Sequence, residues 1–149
     1  MKDDRARGPM AYHLHVVGTD AVDVVRHAAG LILDRVMSGW RVTVALQNAD
    51  NVAALRVLGG EIVEFGGQLT EFDDECFVLA VAAEHRPVDA AGDMLVWGEH
   101  PGPPIVHRLS AASRAFKAQA FAAVGLSQDG VDDEQFSAAA PQYQACDAR

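Results

Sequence analysis

His13 and His15 stand one residue apart in a β-branched run. In an extended segment they point to the same face, roughly 6.6 Å apart along the strand. Two imidazoles at that separation can share a metal ion. A third ligand would have to come from His85, His100, His107 or a carboxylate, and none stands at a diagnostic spacing. Two strand histidines lying against a polar patch account for the same residues without a metal.

Gly18-Thr19-Asp20 offers a different chemistry. It joins a β-rich run to a helical pattern, and backbone N–H groups at a helix start beside a glycine suit an anion. Neither G-x-G-x-x-G nor G-x-x-x-x-G-K-[ST] is present, and Asp20 would repel a phosphate. Thr19 or Asp20 as a plain helix cap explains the turn equally well. The third candidate is the basic segment from His107 to Lys117. Arg108 precedes a helix that Ser110 can cap, and Arg114 and Lys117 follow one and two turns in. Such a helix start could hold a phosphate or carboxylate. A solvated basic face, or pairing with Asp73, Asp74 and Glu75, is the structural alternative.

The candidate ligand-binding set is therefore Gly18, Thr19, Arg108, Ser110, Arg114 and Lys117, with His13 and His15 as a metal alternative. No catalytic residue is assigned. A G-x-S-x-G elbow is missing, and Cys76 lies in an apolar run that predicts a buried, inert thiol. No cofactor motif is present, so no cofactor is expected.

These residues need elements to hold them. Tyr12 to Gly18 reads as a strand, Asp20 to Ser38 as a helix closed by Gly39, and Trp40 to Leu46 as a second strand. Strand, helix and strand with short connections make a βαβ unit with parallel strands. Asp50 or Asn51 can cap a second helix. Glu61 to Phe65, Cys76 to Ala82, Met94 to Trp97 and Ile105 to Leu109 are further short apolar runs, and Ser110 opens a last helix to about Val124. The class is α/β: a small Rossmann-like three-layer domain with a mainly parallel sheet of four or five strands, beginning in the order 3-2-1-4. In such sheets ligands bind beyond the carboxyl ends of the strands, here Gly18-Thr19-Asp20, Gln47-Asn48 and Ala83-Glu84-His85.

The first helix is unusually poor in polar residues. Only the stripe Asp23, His27, Gly30 and Asp34 is polar, so the helix should be covered on more than one side, by another helix or by a second chain. Ala112, Ala115, Phe116, Ala120 and Ala123 give the last helix a small, smooth side.

A length of 149 residues fits one domain. Residues 1–10 read as a disordered arm, 11–126 as the α/β domain and 127–149 as an acidic disordered tail. The net charge of −9 argues against nucleic-acid binding. No apolar run reaches the roughly 18 residues of a membrane span. With two cysteines and no apolar leader, a cytoplasmic location is expected. The expected role is non-catalytic: protein association as a homodimer or as a regulatory subunit of a larger assembly. The alternative is a binding protein or enzyme for an anionic small molecule, phosphorylated or carboxylated.

Overall fold

A computed structural model describes residues 12–66, 76–86, 93–98, 103–126 and 133–138, with the backbone alone at Cys76 and Asp93. The arm over residues 1–10, the thiol of Cys76, the acidic trio from Asp73 to Glu75 and His100 lie outside the described residues. So do 127–132 and 139–149 of the expected tail.

The described elements are β1 (Tyr12–Gly18), α1 (Ala21–Met37), β2 (Arg41–Leu46), α2 (Ala53–Val57), β3 (Glu61–Val63), β4 (Cys76–Ala82), β5 (Asp93–Trp97), β6 (Pro104–Arg108), α3 (Ala111–Ala123) and β7 (Asp133–Ala138). They build one sheet in the order β3-β2-β1-β4-β5-β7-β6. The first five strands are parallel, and β7 is antiparallel to both of its neighbours. The Rossmann-like α/β class and the order 3-2-1-4 hold as expected. Strand order reverses between β1 and β4.

The sheet has seven strands rather than four or five. One of the strands beyond that number, β7, lies in the segment expected to be an unfolded tail, so the domain continues past residue 126 to at least Ala138. Its pattern is a strand pattern with a charge in it. Glu134, Phe136 and Ala138 are buried, while Gln135 is exposed. An inward carboxylate beside Asp133 made the segment look acidic throughout.

The two sheet faces divide the core. Leu14, Val16, Val42, Val44, Val78, Ala80 and Leu95 pack with residues of α1, α2 and α3 on one face. Leu79, Val81, Met94 and Val96 form a second cluster with Val17 and Phe77. Among the described residues all three α-helices belong to the first face, and none of them covers the second, where the expected three-layer arrangement would need one.

The start of α1 is closed from both sides. The Asp20 carboxylate accepts the Asp23 N–H at 2.8 Å, and Asp23 accepts the Thr19 N–H at 3.0 Å. Its end is a left-handed turn at Gly39, φ +91°. There the Gly39 N–H bonds the Val36 carbonyl and the Trp40 N–H the Arg35 carbonyl. The second helix differs from expectation. Val52 occupies its cap position, and neither Asp50 nor Asn51 supplies a side-chain bond there.

The polar stripe of α1 faces inward. Asp23 accepts the Trp97 indole N–H, Gly30 sits against Leu109, and Asp34 meets β6 and α3. The helix looked under-polar because its own chain covers it, through the sheet, α2 and α3. Gly30 is required by a close approach: a Cβ there would lie 2.4 Å from Leu109 Cγ. Gly30→Ala should therefore destabilise by roughly 1–3 kcal/mol through overpacking, although alanine favours helix by about 1 kcal/mol. A urea midpoint at or above wild type would contradict this.

Candidate functional site

Thr19 follows β1 and Glu84-His85 follow β4, the two strands between which the order reverses. The chain folds this way because each strand ends in a tight turn, a cap at Asp20 and a single 3-10 turn over Ala83–His85. The two ends meet. The Thr19 hydroxyl donates to Glu84 Oε2 at 2.6 Å and lies 2.9 Å from His85 Nε2. With the hydroxyl hydrogen committed to Glu84, the imidazole donates to Thr19. Phe65 meets the His85 ring edge to face, 5.4 Å between centroids. The bond from Thr19 holds the Glu84 carboxyl below the usual carboxylate range.

Asp23, one turn into α1, joins this group through the backbone N–H of Thr19. Its other oxygen takes the Trp97 Nε1–H at 3.0 Å and faces His27 Nδ1 at 3.3 Å. Burial works to raise the Asp23 carboxyl, but bonds from His27, Thr19 and Trp97 outweigh it and hold the group below its ordinary range. The bond to Asp23 lifts His27 above the ordinary histidine value. Two ionised carboxylates, two imidazoles, a hydroxyl and two aromatic rings thus collect where β1, β4 and β5 end. The arrangement can accept hydrogen bonds from a ligand, favour positive charge and exchange protons.

Thr19 is the member of the expected ligand set placed at this site, with Gly18 beneath it. Gly18 is packed so closely that a Cβ would meet Val24 Cγ2 at 2.4 Å. The other four residues lie elsewhere. The Ser110 hydroxyl caps α3 and donates to Asp34 Oδ1 at 2.6 Å, while His107 and Ser113 bond Asp34 Oδ2. Asp34 is eleven residues beyond Asp23, about 16 Å along the same helix. Arg114 donates to the Leu109 carbonyl, and Arg108 lies 3.9 Å from Asp133 on the surface. Lys117 is 1% exposed, with Nζ 2.7 Å from Glu134 Oε2 and 3.0 Å from the Arg26 carbonyl. The sequence placed Lys117 on a basic helix face. The fold turns it inward, because α3 packs that side on α1 and β7.

His13 and His15 are buried on the second sheet face. His13 Nε2 and His15 Nδ1 each lie 2.7 Å from the Thr43 hydroxyl. That hydroxyl has one hydrogen, so it donates to one ring and accepts from the other. Among the described residues no three potential ligands are grouped to hold a metal ion. The sequence offered Glu84-His85 only as a strand end, with His85 also as a third metal ligand for His13 and His15, and Asp23, His27 and Trp97 went unassigned. Its available signal was topological: Glu84-His85 closes the most apolar run, at the carboxyl end of a central strand.

No family model matches the chain. No curated protein matches it either. Among the described residues no helix is long and apolar enough to cross a membrane. A search of solved structures finds likeness to the crystal structure of a deacetylase–teicoplanin complex from the teicoplanin biosynthesis pathway. The TM-score is 0.59 and the identity 12%, over 85% of this chain and 97% of that one, a likeness of fold.

Proposed function

We propose that this protein is a ligand-binding α/β domain whose site lies where β1, β4 and β5 end. The observation that carries the reading is the Thr19 hydroxyl held between Glu84 and His85 at the reversal of strand order. A hydrogen-bonded group of polar side chains at that point, walled by Phe65 and Trp97, suits a small polar molecule. With Asp20, Asp23 and Glu84 beside it, the site favours a hydroxylated or amine-bearing ligand over a phosphorylated or carboxylated one. Arg108 and Arg114, the arginines of the expected anion site, lie on β6 and α3. That a deacetylase crystallised with teicoplanin has a similar fold agrees with a small-molecule role.

The test is a nuclear magnetic resonance screen of amino- and hydroxyl-bearing metabolites. A binder should perturb Thr19, Glu84 and His85, and Thr19→Val or Glu84→Gln should weaken it at least tenfold, the loss expected for a hydrogen bond to a charged group. Binders that perturb only other surfaces would dismiss the reading.

A second reading, association with a protein partner or a second copy, keeps support from the outer side of α3. Ala111, Ala115, Ala118 and Ala122 are exposed there, together with Phe116. The covering of α1 no longer speaks for a partner, since the chain supplies it. Sedimentation showing a dimer that Phe116→Glu dissociates would favour this reading, and a monomer at all concentrations would remove self-association.

A further inference from the structure

His27 is held differently from the other described histidines. Its Nδ1 faces the main-chain carbonyl of Asp23 at 3.0 Å and the Asp23 carboxylate at 3.3 Å. That nitrogen therefore carries the hydrogen, and in the neutral ring the lone pair sits on Nε2. Among the described residues none bonds Nε2, and the side chain is 38% exposed. Trp97 lies parallel to the ring, 11° between planes and 5.9 Å between centroids, so the ring plane is fixed. Asp23 is fixed in turn by Thr19 and by the Trp97 indole. An imidazole oriented at one nitrogen by an anchored carboxylate, with the other nitrogen unbonded among the described residues on a part-exposed side chain, is the arrangement of a general base.

We propose that His27 is the proton acceptor of the strand-end site, taking a proton at Nε2 from a ligand hydroxyl or bound water, with Asp23 as its positioning residue. The inference rests on the binding site proposed above. In the step the O–H bond breaks, its electron pair stays on oxygen, and the hydrogen forms an N–H bond at Nε2. The imidazolium then faces the Asp23 carboxylate and later returns the proton. The groups that set its charge are Asp23 on its own helix, which favours the cation, and Lys117 from α3, which disfavours it. From β5 the ring meets the neutral Trp97.

The full chain can be tested with p-nitrophenyl acetate as the probe. A Trp40→Phe background leaves Trp97 as the fluorophore, and protonation of the stacked His27 should quench it. Hydrolysis should rise with pH through the same midpoint as that fluorescence change. His27→Gln should remove at least nine-tenths of this component and the fluorescence transition. Asp23→Asn should move both midpoints down together, which a purely structural role would not do. Unchanged hydrolysis in His27→Gln, or nitrogen chemical shifts placing the lone pair on Nδ1, would overturn the inference. If a metabolite still perturbs Thr19, Glu84 and His85 in that variant, the binding site stands and only the base is lost. If none does so even in wild type, the site itself fails.

Discussion

Glu134→Ala should cost roughly 3–5 kcal/mol, because it strands the Lys117 ammonium in the core without its counter-charge. Glu134 is 3% exposed and does more than pair. Its two oxygens accept the N–H groups of Gly30 at 2.6 Å and Leu31 at 2.7 Å, in the middle of α1. Lys117 meanwhile donates to the Arg26 carbonyl one turn earlier. One carboxylate thus ties β7 to α1 and α3 at once. For a domain of this size the loss corresponds to a fall of about 10 °C in Tm, at roughly 2–4 °C per kcal/mol. Replacing both charges, Glu134→Gln with Lys117→Met, should cost less than the sum of the two single changes, since no charge is then left alone. Urea unfolding measures all of these. A Glu134→Ala variant within about 1 kcal/mol of wild type would mean that the pair is far better solvated than its geometry implies.

Acid should weaken the fold before most carboxylates titrate. Burial first, then the charges of His13 and Arg41, depress the His15 pKa to about 4 from its ordinary 6.5. Below pH 6.5 the unfolded chain binds a proton there that the folded chain does not, so stability falls as pH falls. The contribution is complete above 6.5, declines through the window down to about 4, and is then exhausted. Its size is about 3 kcal/mol, from 1.36 kcal/mol per pKa unit. His27 works in the opposite sense. Its raised pKa gives stability that is complete below the ordinary histidine value and lost as pH rises through the folded one. Comparing wild type with His15→Gln by denaturant unfolding from pH 7.5 to 4.5 separates the two. The variant should show a flatter profile, and an equal slope in both proteins would acquit His15.

The one hydroxyl shared by the two histidines sets the chemistry of that pocket. Thr43 can satisfy two neutral rings, or one neutral and one charged ring, by donating to a single lone pair. Two charged rings would leave its hydrogen without an acceptor between them. Both rings are thereby tied to β2 through one side chain on the second face of the sheet.

The sequence by itself determined the local elements and the parallel half of the sheet. Apolar runs with β-branched residues, glycine stops and one long amphipathic segment act within a few residues of chain, so β1, α1 and β2 were legible with their order. Gly39 was legible for the same reason, since a left-handed turn depends on one residue. The strand-end rule located Thr19 and Glu84-His85 as places where a site could lie, because chain direction alone fixes which ends face the same edge.

Tertiary structure alone decided which polar residues are free. Lys117, Glu134, Asp34 and His13 carry surface chemistry in their names, yet each is drawn into a bond with a residue 30 to 104 positions away. No periodicity records such a partner, because the stabilisation comes from a second residue distant in sequence. The strand β7 was hidden for this reason: its inward carboxylate belongs there only when Lys117 and the N–H groups of α1 are opposite it. The same holds for Asp23 and His27, whose i, i+4 spacing was visible but whose anchor, Trp97, is brought up only by the sheet.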